Sequence, residues 1–245
     1  MKALTVLGAT GSIGVSTLDV AARHPDKFDV VALSGRSNIA LLADQCIAHQ
    51  PRFVAVGSDD AAVELKALRA GKASPDIAVG EQALVDIASL PEIDVVMAAI
   101  VGAAGMPSAL AAAQAGKTLL LANKEALVLG GRLFMNAVKQ GGGSLLPIDS
   151  EHNAIYQCLP HGAVSGERQQ GVSRLLLTAS GGPFRERELS TFTDITVAEA
   201  MEQLTQHPAA TRRRVYTLDN NLRLHGQVDL VDLVAADEHL VLQRR

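Results

Sequence analysis

From Ala3 to Asp149, short runs of β-branched and apolar residues alternate with longer stretches in which apolar side chains recur at helical spacing. That pattern belongs to a parallel sheet covered by helices on both faces. It predicts strands at Leu4–Leu7, Val30–Leu33, Phe53–Val56, Val95–Ile100, Thr118–Ala122 and Leu145–Ile148. Helices are expected to begin near Gly11, Asn38, Asp59, Gln82, Pro107 and Lys124. Right-handed crossovers order such strands into a doubly wound, Rossmann-like α/β sheet whose ligands sit at the carboxyl ends of the strands.

Beyond Asp149 the pattern changes. An apolar run at Arg174–Thr178 is followed by the turn-like Ala179-Ser180-Gly181-Gly182-Pro183 and by a polar helical stretch ending near Gln206. The pattern therefore places a domain boundary near residue 149, followed by a second segment over 150–208 and a tail of different character over 209–245. In the tail a turn is expected around Asp219–Asn221, and Val228–Leu242 has the spacing of an amphipathic helix.

Composition narrows the function classes. With 48% hydrophobic and 20% charged residues the chain is an ordinary globular protein rather than a disordered one. The 22 basic and 26 acidic side chains leave a net charge of −4, no electrostatic footprint for nucleic acid or anionic membrane, and 3% aromatics without tryptophan offer no base-stacking platform. The apolar stretch Val95–Ala115 is broken by Gly102, Gly105 and Pro107, so it reads as strand, turn and helix and not as a membrane span. Cys46 and Cys158 stand alone, as reduced thiols do in the cytoplasm. No targeting segment is expected ahead of Ala3.

Gly8-Ala9-Thr10-Gly11-Ser12-Ile13-Gly14 falls where the first strand becomes the first helix. There Gly8 permits the tight turn, Gly11 lets backbone N–H groups approach a pyrophosphate, and Gly14 lets the helix pack close on the strand. The helix N-terminus then offers free donors and partial positive charge to the anion. The second strand ends in Leu33-Ser34-Gly35-Arg36-Ser37-Asn38, with no carboxylate to repel a 2′-phosphate. Arg36 can pair with that phosphate, so NADPH is favoured over NADH.

Three further strand ends are polar. Lys124, in Asn123-Lys124-Glu125, opens a helix, an unfavourable position for a cation unless a polar or anionic ligand compensates it. Asp149 and Glu151 either share one hard cation, if the chain is still extended there, or serve as N-cap and first-turn acid of a helix. His152 beside them reads as an ordinary surface or core residue, with metal ligation the alternative. In Thr178–Phe184, Ser180 and successive glycine N–H groups can form an anion nest.

Taken together, GATGSIG at 8–14, MAAIVGAAG at 97–105, LLLANKEALV at 119–128, PIDSEHNAIYQ at 147–157 and LTASGGPFR at 177–185 closely resemble the 1-deoxy-D-xylulose 5-phosphate reductoisomerase family. The resemblance runs to about Pro208, and implies that 1–149 form an NADPH-binding domain and 150–208 part of an α+β catalytic domain. It implies a cytoplasmic, NADPH-dependent oxidoreductase and isomerase of non-mevalonate isoprenoid biosynthesis, with Mn²⁺ or Mg²⁺ as a second cofactor, a small phosphorylated sugar as substrate, and a homodimer as the assembly. It implies that Thr10, Gly11, Ser12 and Ile13 hold the pyrophosphate, that Arg36, Ser37 and Asn38 form the adenosine-phosphate site, and that Asn123 and Glu125 contact the nicotinamide half. By the same resemblance Lys124, Ser150, Glu151, Ser180 and His207 line the substrate site, Lys124 and Glu151 as catalytic residues, and Asp149 and Glu151 are metal ligands.

After His207-Pro208 the family continues with a tryptophan-bearing loop, a segment of the type SATMMNKGLE and a helical domain, which Ala209 onward does not follow. Those segments supply a third metal carboxylate and further substrate contacts, so the expectation is a chain that binds NADPH but turns over poorly or not at all. Asp219 and Glu238 have no context that makes them replacements. Two other readings are an NADP-dependent dehydrogenase of the homoserine dehydrogenase type, needing no divalent metal, and a non-catalytic NADP-binding module.

Overall fold

The computed structural model describes residues 1–72, 74–160, 162–163, 169–175, 214–218 and 224–229. The chain divides into two compact units, Met1–Leu177 and Thr178–Arg245. In the first, seven strands lie in the order β4-β3-β2-β1-β5-β6-β7, every neighbouring pair parallel. They are β1 (Lys2–Leu7), β2 (Phe28–Gly35), β3 (Phe53–Val56), β4 (Asp76–Val79), β5 (Val95–Ala98), β6 (Thr118–Leu121) and β7 (Ser144–Pro147). The helices between them are α1 (Ser12–Arg23), α2 (Ile39–His49), α3 (Asp59–Leu68), α4 (Glu81–Ser89), α5 (Met106–Gln114) and α6 (Glu125–Gly141), with α7 (Ser150–Cys158) after β7. The doubly wound sheet expected from the hydrophobic pattern is present.

Alternation along each strand divides the core between the two faces of the sheet. Leu4 and Val6 of β1 join Leu33, Val54 and Val56 under α1, α2 and α3, where Leu18, Leu42 and Leu65 fill the space. Leu7 points the other way, with Val96, Ala98 and Leu119, beneath α4, α5 and α6. That second layer is rich in alanine, with Phe134 as its one fully buried ring. Thr5 is buried among them and satisfied, its hydroxyl donating to the Ile87 carbonyl at 3.0 Å.

Strand β4 was not among the expected elements. It is a short edge strand preceded by Pro75, and three of its four residues are exposed, so it lacks the apolar run by which its neighbours show themselves. Strands β5 and β6 stop at Ala98 and Leu121, before Ile100 and Ala122, because the chain turns there to form the loops of the crevice. Arg174 and Leu175, expected to open a strand, lie in none. In the second unit, β8 (Arg214–Leu218) and β9 (Leu224–Asp229) form an antiparallel pair in which Val215 faces Val228. The amphipathic helix expected from Val228 is thereby corrected at its start: Val228 and Asp229 are in a strand, and the rest of that stretch lies outside the described residues, as does the polar helix expected before Gln206.

Candidate functional site

The sheet order reverses at β1, which has β2 on one side and β5 on the other. At this switch point the connections leaving β1 and β5 diverge to opposite faces, opening a crevice at the carboxyl ends of the strands. The glycine loop occupies it. Gly8 has a φ of +80°, and a Cβ there would come within 3.1 Å of the Ala99 backbone. A Cβ on Gly14 would overlap the Gly8 carbonyl oxygen and lie 2.6 Å from Ala9 Cα. Both glycines are therefore required by the fold. Gly11 is different: its backbone is extended (φ −79°, ψ 166°), and a Cβ would only touch the Gly8 oxygen at 3.4 Å.

Helix α1 starts without a side-chain cap and without an acid in its first turn. The backbone N–H groups of Thr10, Ser12 and Ile13 have no hydrogen-bond partner among the described residues. Converging donors at the positive end of a helix dipole make an anion cradle. The loop behind it is held from three sides: Gly8 N–H donates to Ser34 Oγ at 2.9 Å, Ala9 N–H donates to the Ser34 carbonyl at 2.8 Å, and Gln45 Nε2 donates to the Ala9 carbonyl at 2.8 Å. Ser34 and Gln45 were not among the expected site residues. Their signal was there, as polar residues at apolar positions of a buried strand and of the inward face of α2.

Beside the cradle, a pocket of about 210 Å³ opens at the ends of β2, β3 and β4, lined among others by Ser34, Arg36, Gly57, Glu81 and Ile100. Arg36 is exposed, and its stem passes Gly57, where a Cβ would stand 3.2 Å from Arg36 Cγ. Ser37 and Asn38 are also exposed; Asn38 caps α2 by accepting from Leu41 N–H at 3.1 Å, and of the three Arg36 lines the pocket.

On the other side of the switch point Asn123 is buried. Its Nδ2 donates to the carbonyls of Ile100 and Gly102, both at 2.7 Å, and its Oδ1 accepts from Glu125 N–H at 3.0 Å. One side chain thus ties the loop after β5 to the loop after β6 and caps α6. Lys124 and Glu125 are exposed at that helix start. Lys124 also lies near enough to Asp149 to favour its carboxylate, the smallest of the influences on that group.

Asp149 and Glu151 do not lie on an extended chain. Helix α7 begins at Ser150 with Asp149 as its N-cap, accepting from His152 N–H at 3.1 Å and meeting His152 Nδ1 at 2.7 Å. The condition for two parallel carboxylates is not met, and the capping alternative is what the backbone adopts. Partial burial would raise the Asp149 carboxyl, but the His152 contacts and Lys124 outweigh it and hold it below its ordinary value. Asn153 Nδ2 donates to the Pro147 carbonyl at 2.8 Å and pins α7 to the end of β7. Lys124, Asp149, Ser150 and Glu151 therefore share one end of the sheet, at the tips of β6 and β7. Among the described residues no three His, Cys, Asp or Glu side chains gather at metal-binding distance. Ser180 and His207 lie outside the described residues.

Comparison with known proteins gives a consistent result. The sequence model described as 1-deoxy-D-xylulose 5-phosphate reductoisomerase matches residues 4–131, and that of the same enzyme's C-terminal domain matches 145–221. The second match corrects the expectation that the resemblance ends near Pro208. A 1-deoxy-D-xylulose 5-phosphate reductoisomerase of Pseudomonas aeruginosa is 50% identical over 230 residues, covering 94% of this chain and 57% of the relative. The chain thus spans little more than half the length of such relatives. The reductoisomerase of Zymomonas mobilis in complex with NADPH superposes with a TM-score of 0.69 at 43% identity, over 84% of this chain and 52% of the other. A reductoisomerase in complex with NADPH, fosmidomycin and magnesium superposes at 0.68 and 40% identity, over 85% and 51%.

Proposed function

Because the chain belongs to the 1-deoxy-D-xylulose 5-phosphate reductoisomerase family, we propose that it binds NADPH and serves the metal-dependent rearrangement and reduction of 1-deoxy-D-xylulose 5-phosphate to 2-C-methyl-D-erythritol 4-phosphate. The observation that carries this reading is the glycine-backed, uncapped N-terminus of α1 at the switch point, with Arg36 on the adjoining pocket. The cradle fits a pyrophosphate: its free N–H groups are at Thr10, Ser12 and Ile13, and Gly11 leaves it open. Arg36, with Ser37 and Asn38, takes the 2′-phosphate end. Asn123 and Glu125 border the nicotinamide half, and Asn123 does so while holding the 100–102 loop in place.

For the metal the fit is partial. Asp149 and Glu151 are hard oxygen donors suited to Mg²⁺ or Mn²⁺, but one Asp149 oxygen is committed to the α7 cap and to His152. A divalent ion, when bound, supplies Lewis acidity to a carbonyl. The chain's own part is to present charge and hydrogen bonds: Lys124 stabilises developing negative charge on a substrate oxygen, and Ser150 and Glu151 hold hydroxyls from the start of α7. Ser180 and His207 remain substrate contacts proposed from sequence alone. The domain boundary at residue 149, the cytoplasmic location and the homodimer belong to the same proposal. No helix among the described residues is long and apolar enough to cross a membrane.

The test has two arms. NADPH should bind at least about tenfold more tightly than NADH by nucleotide fluorescence, as one charge-assisted contact to the 2′-phosphate allows, and Arg36→Ala should abolish the difference. Equal affinities would overturn the cofactor assignment. NADPH oxidation that requires both 1-deoxy-D-xylulose 5-phosphate and Mg²⁺ or Mn²⁺, and that stops with a chelator, supports the activity. Oxidation indifferent to chelation would point instead to a plain dehydrogenase.

A further inference from the structure

We infer that Gln45, on the inward face of α2, is a positioning residue that sets which backbone groups the phosphate loop presents to the cofactor. This rests on the NADPH reading above. Gln45 is only 8% exposed, and its Nε2 reaches across 36 residues to the Ala9 carbonyl at 2.8 Å. Its Oε1 is buried with no hydrogen-bond partner among the described residues. A half-satisfied buried amide costs stability compared with an apolar side chain of the same shape, so packing alone does not account for it.

The geometry of the peptide group supplies the reason. In a planar trans peptide, C=O and N–H point in opposite directions. Holding the Ala9 oxygen toward α2 therefore turns the Thr10 N–H away from α2, into the crevice. Gly8 and Ala9 spend their own N–H groups inward on Ser34, and Gly11 donates to the Gly8 carbonyl at 3.1 Å. Thr10 is thus the only residue of the turn from Gly8 to Gly11 whose N–H has no partner among the described residues, and Gln45 fixes its direction. Without that bond the Ala9–Thr10 peptide can rotate, and the cradle loses the donor that precedes the helix.

The experiment uses the whole chain. Gln45→Leu keeps the volume and removes the donor; NADPH should then bind about tenfold more weakly, the equivalent of one net hydrogen bond. Amide hydrogen exchange over residues 8–14 should accelerate, while exchange in α5 and α6 stays as in the parent. NADPH affinity within about twofold of the parent, or unchanged loop exchange, overturns the inference. Gln45→Glu separates positioning from mere structure. A protonated carboxyl can donate to the Ala9 oxygen and a carboxylate cannot, so the ratio of variant to parent dissociation constants should fall toward one as pH is lowered. A ratio independent of pH overturns it too. If the parent chain does not bind NADPH, the cofactor reading fails, and the loop exchange of Gln45→Leu alone decides whether Gln45 sets the loop.

Discussion

Gly11 and Gly14 look alike in sequence, yet the structure assigns them to different causes, and substitution by alanine should separate these. At Gly14 the added methyl overlaps the Gly8 oxygen and lies 2.6 Å from Ala9 Cα. Either α1 or the loop must move, at a cost of about 1–3 kcal/mol. At Gly11 the backbone is already extended and the methyl meets nothing closer than 3.4 Å. Replacing one uncapped N-cap by another costs at most about 1 kcal/mol. Gly11 sits between the open N–H groups of Thr10 and Ser12, so the cradle reading expects the methyl to crowd a docked phosphate; losing one bond to it, about 1.5–3 kcal/mol for a charged acceptor, weakens NADPH by roughly 10- to 150-fold. Thermal melting of the two variants beside an NADPH titration followed by fluorescence reads both quantities. For a chain of this size each kcal/mol shifts the melting point by about 2–4 °C. If Gly11→Ala binds NADPH like the parent, or melts as early as Gly14→Ala, the glycine is kept for packing and the cradle argument is refuted.

Asp149→Asn keeps an N-cap acceptor and removes the charge. Its melting should stay within about 0.5 kcal/mol of the parent while Mn²⁺ affinity, read by calorimetry, falls; retained affinity would show that Asp149 only caps α7. Asn123→Ala strands the Ile100 and Gly102 carbonyls, with an expected loss of about 1–3 kcal/mol in denaturant unfolding; an unchanged midpoint would mean the two loops do not depend on that amide. Burial pushes the Cys46 thiol up to about 11, although Arg69 opposes it, while Cys158 is exposed. Its thiolate is therefore scarce at mildly alkaline pH, and alkylation read by mass spectrometry should mark Cys158 in the native chain and Cys46 only after unfolding.

The parts of the fold legible in the sequence were those in which one periodicity dominated. β1, β3 and β7 are apolar or β-branched runs between turn residues, and α3 opens with Ser58-Asp59-Asp60, a cap followed by acids. β4 was not legible because an edge strand with one neighbour and a wet face needs no apolar run. At the site, the glycine loop and Arg36 could be read because their chemistry lies in consecutive residues. Gln45 and Ser34 could not be placed there, since their partners are 36 and 26 residues away and only the sheet brings them together. For Asp149 and Glu151 the spacing supported two geometries, and the choice between them turned on whether the chain was helical from Ser150, which residue types alone left open.

The phosphate loop is closed by residues that follow it. Ser34 comes from β2 and Gln45 from α2, so when β1 and α1 have formed by themselves the Gly8–Ala9 segment still lacks all three of the hydrogen bonds that hold it from outside. The proposed dinucleotide cradle is consequently complete only once α2 has docked on the sheet. A nucleotide that binds the finished loop and not its precursors cannot act as a template for folding; it acts afterwards, by drawing the population toward the completed βαβα arrangement in proportion to its concentration over its dissociation constant.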